Sequence, residues 1–293
     1  MHIQIDNDIS IGYEKSSFLR FFLRHPVVFI LNRIPPGLRN LIKKTNSSAK
    51  KVIEKATTHD AIETLYKFGE PEKATTFLQK FFHYIWFTTD NPKAVRNRLR
   101  LVTRELKTAI KNHLSEGKDI KILSIAAGSA RAIFDAISLD ELKDQKTIQV
   151  TFLDKNPKAN EYSQHLAKER NYSENYKFRW IVDTAGNFPE YLNGENKPNI
   201  VEIVGLLDYF DNNAIGKLTR LVYNNLEPGG VFITSNIVDN KERKFITDVV
   251  GWKMIYKKPQ DFFEIAKEAG FKPENMRILY EPFKIHFVMI AIK

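Results

Sequence analysis

The sequence predicts an α/β fold built on a mainly parallel sheet, with a helical region ahead of it, and three observations carry that prediction. From residue 120 onward the runs KILSIAA, IQVTFLD, FRWIVD, NIVEIVG and GVFITSN are short, apolar and β-branched, and helix-length amphipathic segments separate them. Strands alternating with helices make βαβ units and therefore parallel pairing. The rhythm breaks at the end, where the helical DFFEIAKEAGF is followed by MRILYEP and FKIHFVMIAIK, joined at Glu281-Pro282; this predicts an antiparallel hairpin closing the sheet. Residues 57–115 instead carry helical periodicity, with Val95, Leu99, Val102, Leu106 and Ile110 at spacings of three and four, the period of one buried helix face.

Taken in order, Asn91-Pro92 supplies a cap residue and a first-turn proline for the long helix, and Glu116-Gly117 stands where a glycine stop is expected. A boundary near residue 117 follows: residues 1–117 are expected to be an all-helical, basic cap or lid, and residues 118–293 the sheet domain. The chain has 293 residues, 43% of them hydrophobic and 27% charged, with 13 Gly and 12 Pro, which suits an ordinary globular protein with a sizeable core. It has no cysteine, which excludes disulfide frameworks, thiolate zinc sites, iron–sulfur clusters and cysteine nucleophiles, and fits a reducing, cytoplasmic setting. No histidine pair stands at metal-ligand spacing, and His165 and His286 read as surface or core residues.

The net charge of +10 is uneven. Residues 1–119 hold 21 Lys+Arg against 12 Asp+Glu, and residues 15–55 hold ten basic side chains (Lys15, Arg20, Arg24, Arg33, Arg39, Lys43, Lys44, Lys50, Lys51 and Lys55) against the single acid Glu54. Such a patch attracts phosphates. The apolar stretch FLRFFLRHPVVFIL at 18–31 is broken by Arg20, Arg24 and Pro26, short of the ~20 residues a membrane span requires, and acids ahead of it argue against a signal peptide. Three readings stay open: a helix packed on the main domain, a surface helix that docks on anionic membrane or covers a lipophilic substrate, or a nucleic-acid surface, for which no recognisable module is present.

In an open parallel sheet the ligand lies beyond the carboxyl ends of the strands, where strand order reverses. The first such turn, ILSIAAGSARAIFDAI at 122–137, is made of the small residues Ala126, Ala127, Gly128, Ser129 and Ala130, which let a ligand approach the backbone, though tight turns need small residues for packing too. At the next strand tip stands Asp154, 26 residues after Gly128, where a carboxylate can accept hydrogen bonds from the two hydroxyls of a ribose; the competing reading is a helix cap before Pro157.

These elements, with the Asp183-Thr184 pair, the segment EIVGLLDYF, the LEPGG turn at 226–230 and the final hairpin, resemble class I S-adenosylmethionine-dependent methyltransferases over residues 120–293. The resemblance implies a Rossmann-like sheet of seven strands with an antiparallel last strand. In the family's first loop an acidic residue and three glycines are usual; here Ser124, Ala126, Gly128 and Ala130 occupy those places, so only the middle glycine is kept. The loop variant, VGLLDYF and GWKMIYKKPQDFFEIAKEAGF are similar to a bacterial subgroup that includes enzymes making methyl esters of 3-hydroxy fatty acids.

Carried over position by position, the resemblance implies that Ala126, Ala127, Gly128 and Ser129 contact the methionine end of S-adenosylmethionine, Asp154 its ribose, and Asp183 and Thr184 its adenine. Gly205 and Leu206 would flank the sulfonium. Arg131 would pair with the cofactor carboxylate or an acidic substrate, or face solvent. Asp208 and Tyr209 lie nearest the transfer point, with Asp208 a base, an orienting group, or a cap for the next helix, and Trp252 and Tyr256 would line an acceptor pocket or belong to the core. The expected activity is methylation of a small, lipophilic carboxylate or hydroxyl acceptor. The rivals are an RNA methyltransferase using the basic helices and a non-catalytic nucleoside-binding protein of the same fold. Oligomeric state is open.

Overall fold

A computed structural model of the chain describes residues 2–16, 26, 28–35, 37, 50, 53–55, 58–67, 89–138, 147–192 and 197–293. Most of the apolar stretch at 18–31, and Arg20, Arg24, Arg39, Lys43, Lys44 and Lys51 of the basic patch, lie outside the described residues. No helix among the described residues is long and apolar enough to cross a membrane.

The strands are β1 (His2–Ile5), β2 (Ile120–Ile125), β3 (Ile148–Asp154), β4 (Tyr176–Val182), β5 (Ile200–Ile203), β6 (Val231–Ile237), β7 (Met276–Tyr280) and β8 (His286–Ile292). They form one sheet in the order β1-β7-β8-β6-β5-β2-β3-β4. Every neighbouring pair is parallel except those made by β8, which runs antiparallel to both β6 and β7. The order reverses at β2, which has β3 on one side and β5 on the other. The alternation that predicted strands is also what splits the core: in β2, Ile120 and Ile122 face one buried cluster and Leu123 and Ile125 the other.

Helices α1 (His59–Tyr66), α2 (Asp90–Ser115), α3 (Arg131–Ile137), α4 (Pro157–Glu169), α5 (Asn212–Asn225) and α6 (Pro259–Ala269) complete the described frame. One face of the sheet is covered by α2, α3 and α4, and the other by α5 and α6. On α2, Leu101, Val102, Leu106 and Ile110 are wholly buried, each contributing about 2 kcal/mol by leaving water. They join Ile120, Phe134 and Phe152 in one cluster, so the long helix is continuous with the core of the sheet. Its start lies two residues before the sequence expectation, with Thr89 rather than Asn91 in the cap position. The helix begins at Asp90, and Glu242 from beyond β6 accepts from the Asp90 and Asn91 amides at 2.9 and 3.0 Å, so its first-turn donors are satisfied from across the fold.

The seven expected strands are joined by an eighth, and the all-helical expectation gives way at residues 2–5. β1 lies parallel on β7 at the sheet edge, and the chain beyond it is pinned to α2: Glu14 forms a double ion pair with Arg96 at 2.6 and 2.8 Å, and its backbone exchanges hydrogen bonds with Asn97 at 2.8 and 3.0 Å. Arg104 bonds Asp6. A four-residue strand has too short a pattern to stand out, and its partner is more than 270 positions away.

Candidate active site

At the switch point, above the ends of β2 and β5, lies a cavity of about 650 Å³. Its polar end is the loop after β2. Ala126, Gly128 and Ala130 all adopt left-handed backbone, with φ of +54°, +56° and +54°. Two positions where the related family places glycine therefore keep the glycine conformation with alanine, at about 1–2 kcal/mol of strain each. The loop is tied to the next strand: the Gly128 amide donates to Asp154 Oδ2 at 2.9 Å, and the Asn156 amide to Oδ1 at 2.8 Å. Asp154 does not cap α4; Asn156 does, accepting from the Lys158 amide. The Asp154 carboxylate keeps unused lone pairs while lining the cavity.

Asp183 and Thr184, after β4, line the same space. Asp183 accepts from the Thr184 amide, Asn187 Nδ2 and the Tyr191 hydroxyl at 2.6, 3.0 and 2.7 Å, and these bonds, that of Tyr191 first, hold its carboxyl below the usual range. Ser129, Ala127, Gly205 and Leu206 also border the cavity. Gly205 turns at φ +87°, and a Cβ there would sit 3.7 Å from the Arg98 guanidinium. Arg131 lines the cavity but is engaged from α1, donating to both oxygens of Glu63 at 3.1 and 2.6 Å; the Tyr162 hydroxyl adds a third bond to Glu63 at 2.8 Å.

The other end of the cavity is apolar, walled by Ile62, Leu65, Val95, Leu99, Ile237, Val250, Trp252 and Met254. Tyr209 and Trp252 form one wall, the indole donating to the phenol at 2.6 Å. Tyr256 stands outside the lining. Residues 251–258 are irregular rather than helical, Lys257 bonds alongside β6, and the Tyr256 ring lies under Arg243 at 4.5 Å. Asp208 is buried and does not cap α5, a role that Asp211 takes. Its Oδ1 accepts from the Ile237 amide at 3.0 Å and its Oδ2 lies 3.6 Å from Arg98. Burial raises its carboxyl above the ordinary value despite the arginine.

Several cavity residues escaped the sequence reading. Arg98 of α2 is 3% exposed and its Nε has no hydrogen-bond partner. It stands three residues after Val95 and four before Val102, on the apolar face, and that placement was the available signal. His286, read as core, lines the cavity with both ring nitrogens unpartnered; burial, then Arg98, drives it well below its usual range, so it is neutral. Glu202 interrupts the apolar NIVEIVG, and Glu63 and Tyr66 reach the cavity region from α1. Among the described residues, no three His, Asp or Glu side chains converge as a metal site would require.

The strand order, the lone antiparallel strand β8 and a cavity at the switch point define the Rossmann-like fold of class I S-adenosylmethionine-dependent methyltransferases. A family model described as "Putative methyltransferase" matches residues 40–293, and the chain belongs to that family; it is an S-adenosylmethionine-dependent methyltransferase. Among solved structures, it is similar to a possible exported protein from Bordetella parapertussis, at 16% identity over 82% of this chain and 80% of that one, with a TM-score of 0.64. It is also similar to the CurJ carbon methyltransferase, at 12% identity over 84% and 66% of the two chains, TM-score 0.55. The Synechocystis magnesium protoporphyrin IX methyltransferase, solved with bound S-adenosylmethionine, matches at 14% identity over 84% and 97%, TM-score 0.52. At these identities the likeness is one of fold. No curated protein matches the sequence. The residues present suit the cofactor: small left-handed positions leave the loop backbone open, and the Asp154 carboxylate and the buried acid Glu202 face the polar end.

Proposed function

We propose that this enzyme methylates a small lipophilic acceptor through oxygen, a carboxylate in preference to a hydroxyl. The observation that carries the reading is the buried Arg98 guanidinium between the polar and apolar ends of one cavity. A buried cation with an unused donor favours an anionic ligand group, and the apolar wall beyond it suits a hydrocarbon body. Residues 126–129, Asp154, Asp183, Thr184, Gly205 and Leu206 would hold the cofactor. The cofactor supplies an activated methyl group on a good thioether leaving group.

The chain's part is then positioning and exclusion of water, which can be worth roughly 7–11 kcal/mol in favourable cases. Arg98 orients the acceptor oxygen, and Asp208, held by the Ile237 amide, orients Arg98. A carboxylate is ionised at neutral pH and needs no base. Tyr209 and Trp252 close the apolar side. The N-terminal region, residues 1–117, acts as the lid through α1, and its basic patch suits a membrane-peripheral location for an enzyme whose acceptors are lipid-like.

The test is transfer of labelled methyl from S-adenosylmethionine to a panel of medium-chain carboxylic acids, matched alcohols and total RNA. Methyl esters should form, and Arg98→Met should raise KM for the acid at least about tenfold, the loss of one charged hydrogen bond. Labelling of RNA alone, falling steeply with salt, would overturn the reading.

A further inference from the structure

Glu202 is the acidic side chain of β5, beside β2 at the switch point. The register sets it opposite Ser124, the place where related loops carry their acid, and the Ser124 hydroxyl donates to its Oε2 at 2.6 Å. Its Oε1 has no hydrogen-bond partner among the described residues. Glu202 is 6% exposed and lines the cavity level with Ser124, two residues before the left-handed Ala126, and itself three residues before Gly205. A buried carboxyl in that position lacks a cation: Arg98 acts on it through space without a hydrogen bond, and is already beside Asp208.

We propose that Glu202 is the counter-ion of the cofactor's ammonium group, an acid supplied from β5 in place of the one missing from β2. The proposal rests on the cavity being the S-adenosylmethionine site. Ser124 keeps a function in this arrangement by fixing the carboxylate through its hydroxyl, which explains a polar residue at a wholly buried position. Burial, opposed by the Ser124 bond and Arg98, pushes the Glu202 carboxyl up to about 7. The group is therefore partly protonated at neutral pH, and docking of an ammonium would drive that proton to the buffer. The titratable or charged groups sharing the cavity with it are Arg98 of α2, His59 and Tyr66 of α1, Arg131 of α3, Asp154 at the tip of β3 and Lys155 after it, Asp183 after β4, Asp208 and Tyr209 after β5, and His286 of β8.

The experiment is titration calorimetry at pH 7 with S-adenosylhomocysteine, which carries the ammonium, and 5′-methylthioadenosine, which lacks it. Glu202→Gln should weaken S-adenosylhomocysteine about 10- to 100-fold and change methylthioadenosine less than about threefold. In the intact protein, repeating the titration in buffers of different ionisation enthalpy should show about half a proton released on binding S-adenosylhomocysteine, none with methylthioadenosine, with affinity rising between pH 6 and 8. Equal losses for both ligands in Glu202→Gln, or no proton release by the intact protein, would overturn the proposal while leaving the cofactor reading standing. Failure of the intact protein to bind S-adenosylhomocysteine would overturn both.

Discussion

Closure of α1 over the loop after β2 should depend on Glu63. Glu63 is 5% exposed, and its carboxylate accepts side-chain bonds from Arg131 at 3.1 and 2.6 Å and from Tyr162 at 2.8 Å. Charge-assisted bonds are worth about 1.5–3 kcal/mol, and the partial exposure of Arg131, 23% at the side chain, moves the expectation to about 2 kcal/mol for Glu63→Gln. That corresponds to roughly 30-fold faster amide exchange in residues 59–66, since about 1.4 kcal/mol is tenfold. The assay is hydrogen exchange by mass spectrometry on Glu63→Gln, Arg131→Gln and the double variant, which isolates the pairwise energy. A coupling below about 0.5 kcal/mol would refute the argument. The pH dependence has a fixed sign. Burial alone would raise the Glu63 carboxyl, but the bonds from Arg131, Ser129 and Tyr162 outweigh it and hold it below its usual value. Closure is then complete above the unfolded value of about 4.3 and is lost as pH falls through the lower folded value, so protection of α1 should be flat from pH 8 to 5 and fall in stronger acid.

Two further outcomes follow from the loop. Asp154→Ala removes the acceptor of the Gly128 and Asn156 amides as well as the proposed ribose partner, and should weaken S-adenosylhomocysteine by about 1–3 kcal/mol; calorimetry showing less than a threefold change would exclude the role. Ala130→Gly relieves about 1–2 kcal/mol of left-handed strain against the roughly 0.5–1 kcal/mol that glycine's freedom costs, so denaturant melts should show a neutral to slightly stabilised protein. The converse, Gly128→Ala, should cost about 0–1.5 kcal/mol by the same balance, since an added Cβ meets the His59 Cβ at an ordinary 3.7 Å.

The sheet was legible because its signals are local. Each parallel strand is an apolar run whose alternate residues serve two faces, and the break at Glu281-Pro282 marks where direction changes. β1 was not legible: HIQI gains its identity only by pairing with Arg277–Tyr280, a contact made by the whole fold. The cap of α2, two residues earlier than expected, shows the same limit at the scale of a single turn. Asn91-Pro92 pointed to the helix start, yet the side chain that satisfies its amides is Glu242, some 150 positions later.

The site divides along the same line. Strand-tip positions follow from topology, and the residues named there, from Ala126 to Trp252, line one cavity, with Tyr256 outside it. Pair partners do not follow from topology. Arg131 read as free for a ligand or for solvent because Glu63 lies 68 residues earlier on another helix, and Arg98 was hidden among the apolar Val95, Leu99 and Val102 of a long helix. The departure at Ser124 is the most instructive. In linear order it is the loss of an acid from a loop; in the sheet, β2 and β5 are neighbours, and Ser124 meets Glu202 across them at 2.6 Å. A negative charge can leave one strand without leaving the cavity, provided the adjacent strand accepts it at the register position opposite, and a pattern written along a single strand has no term for that exchange.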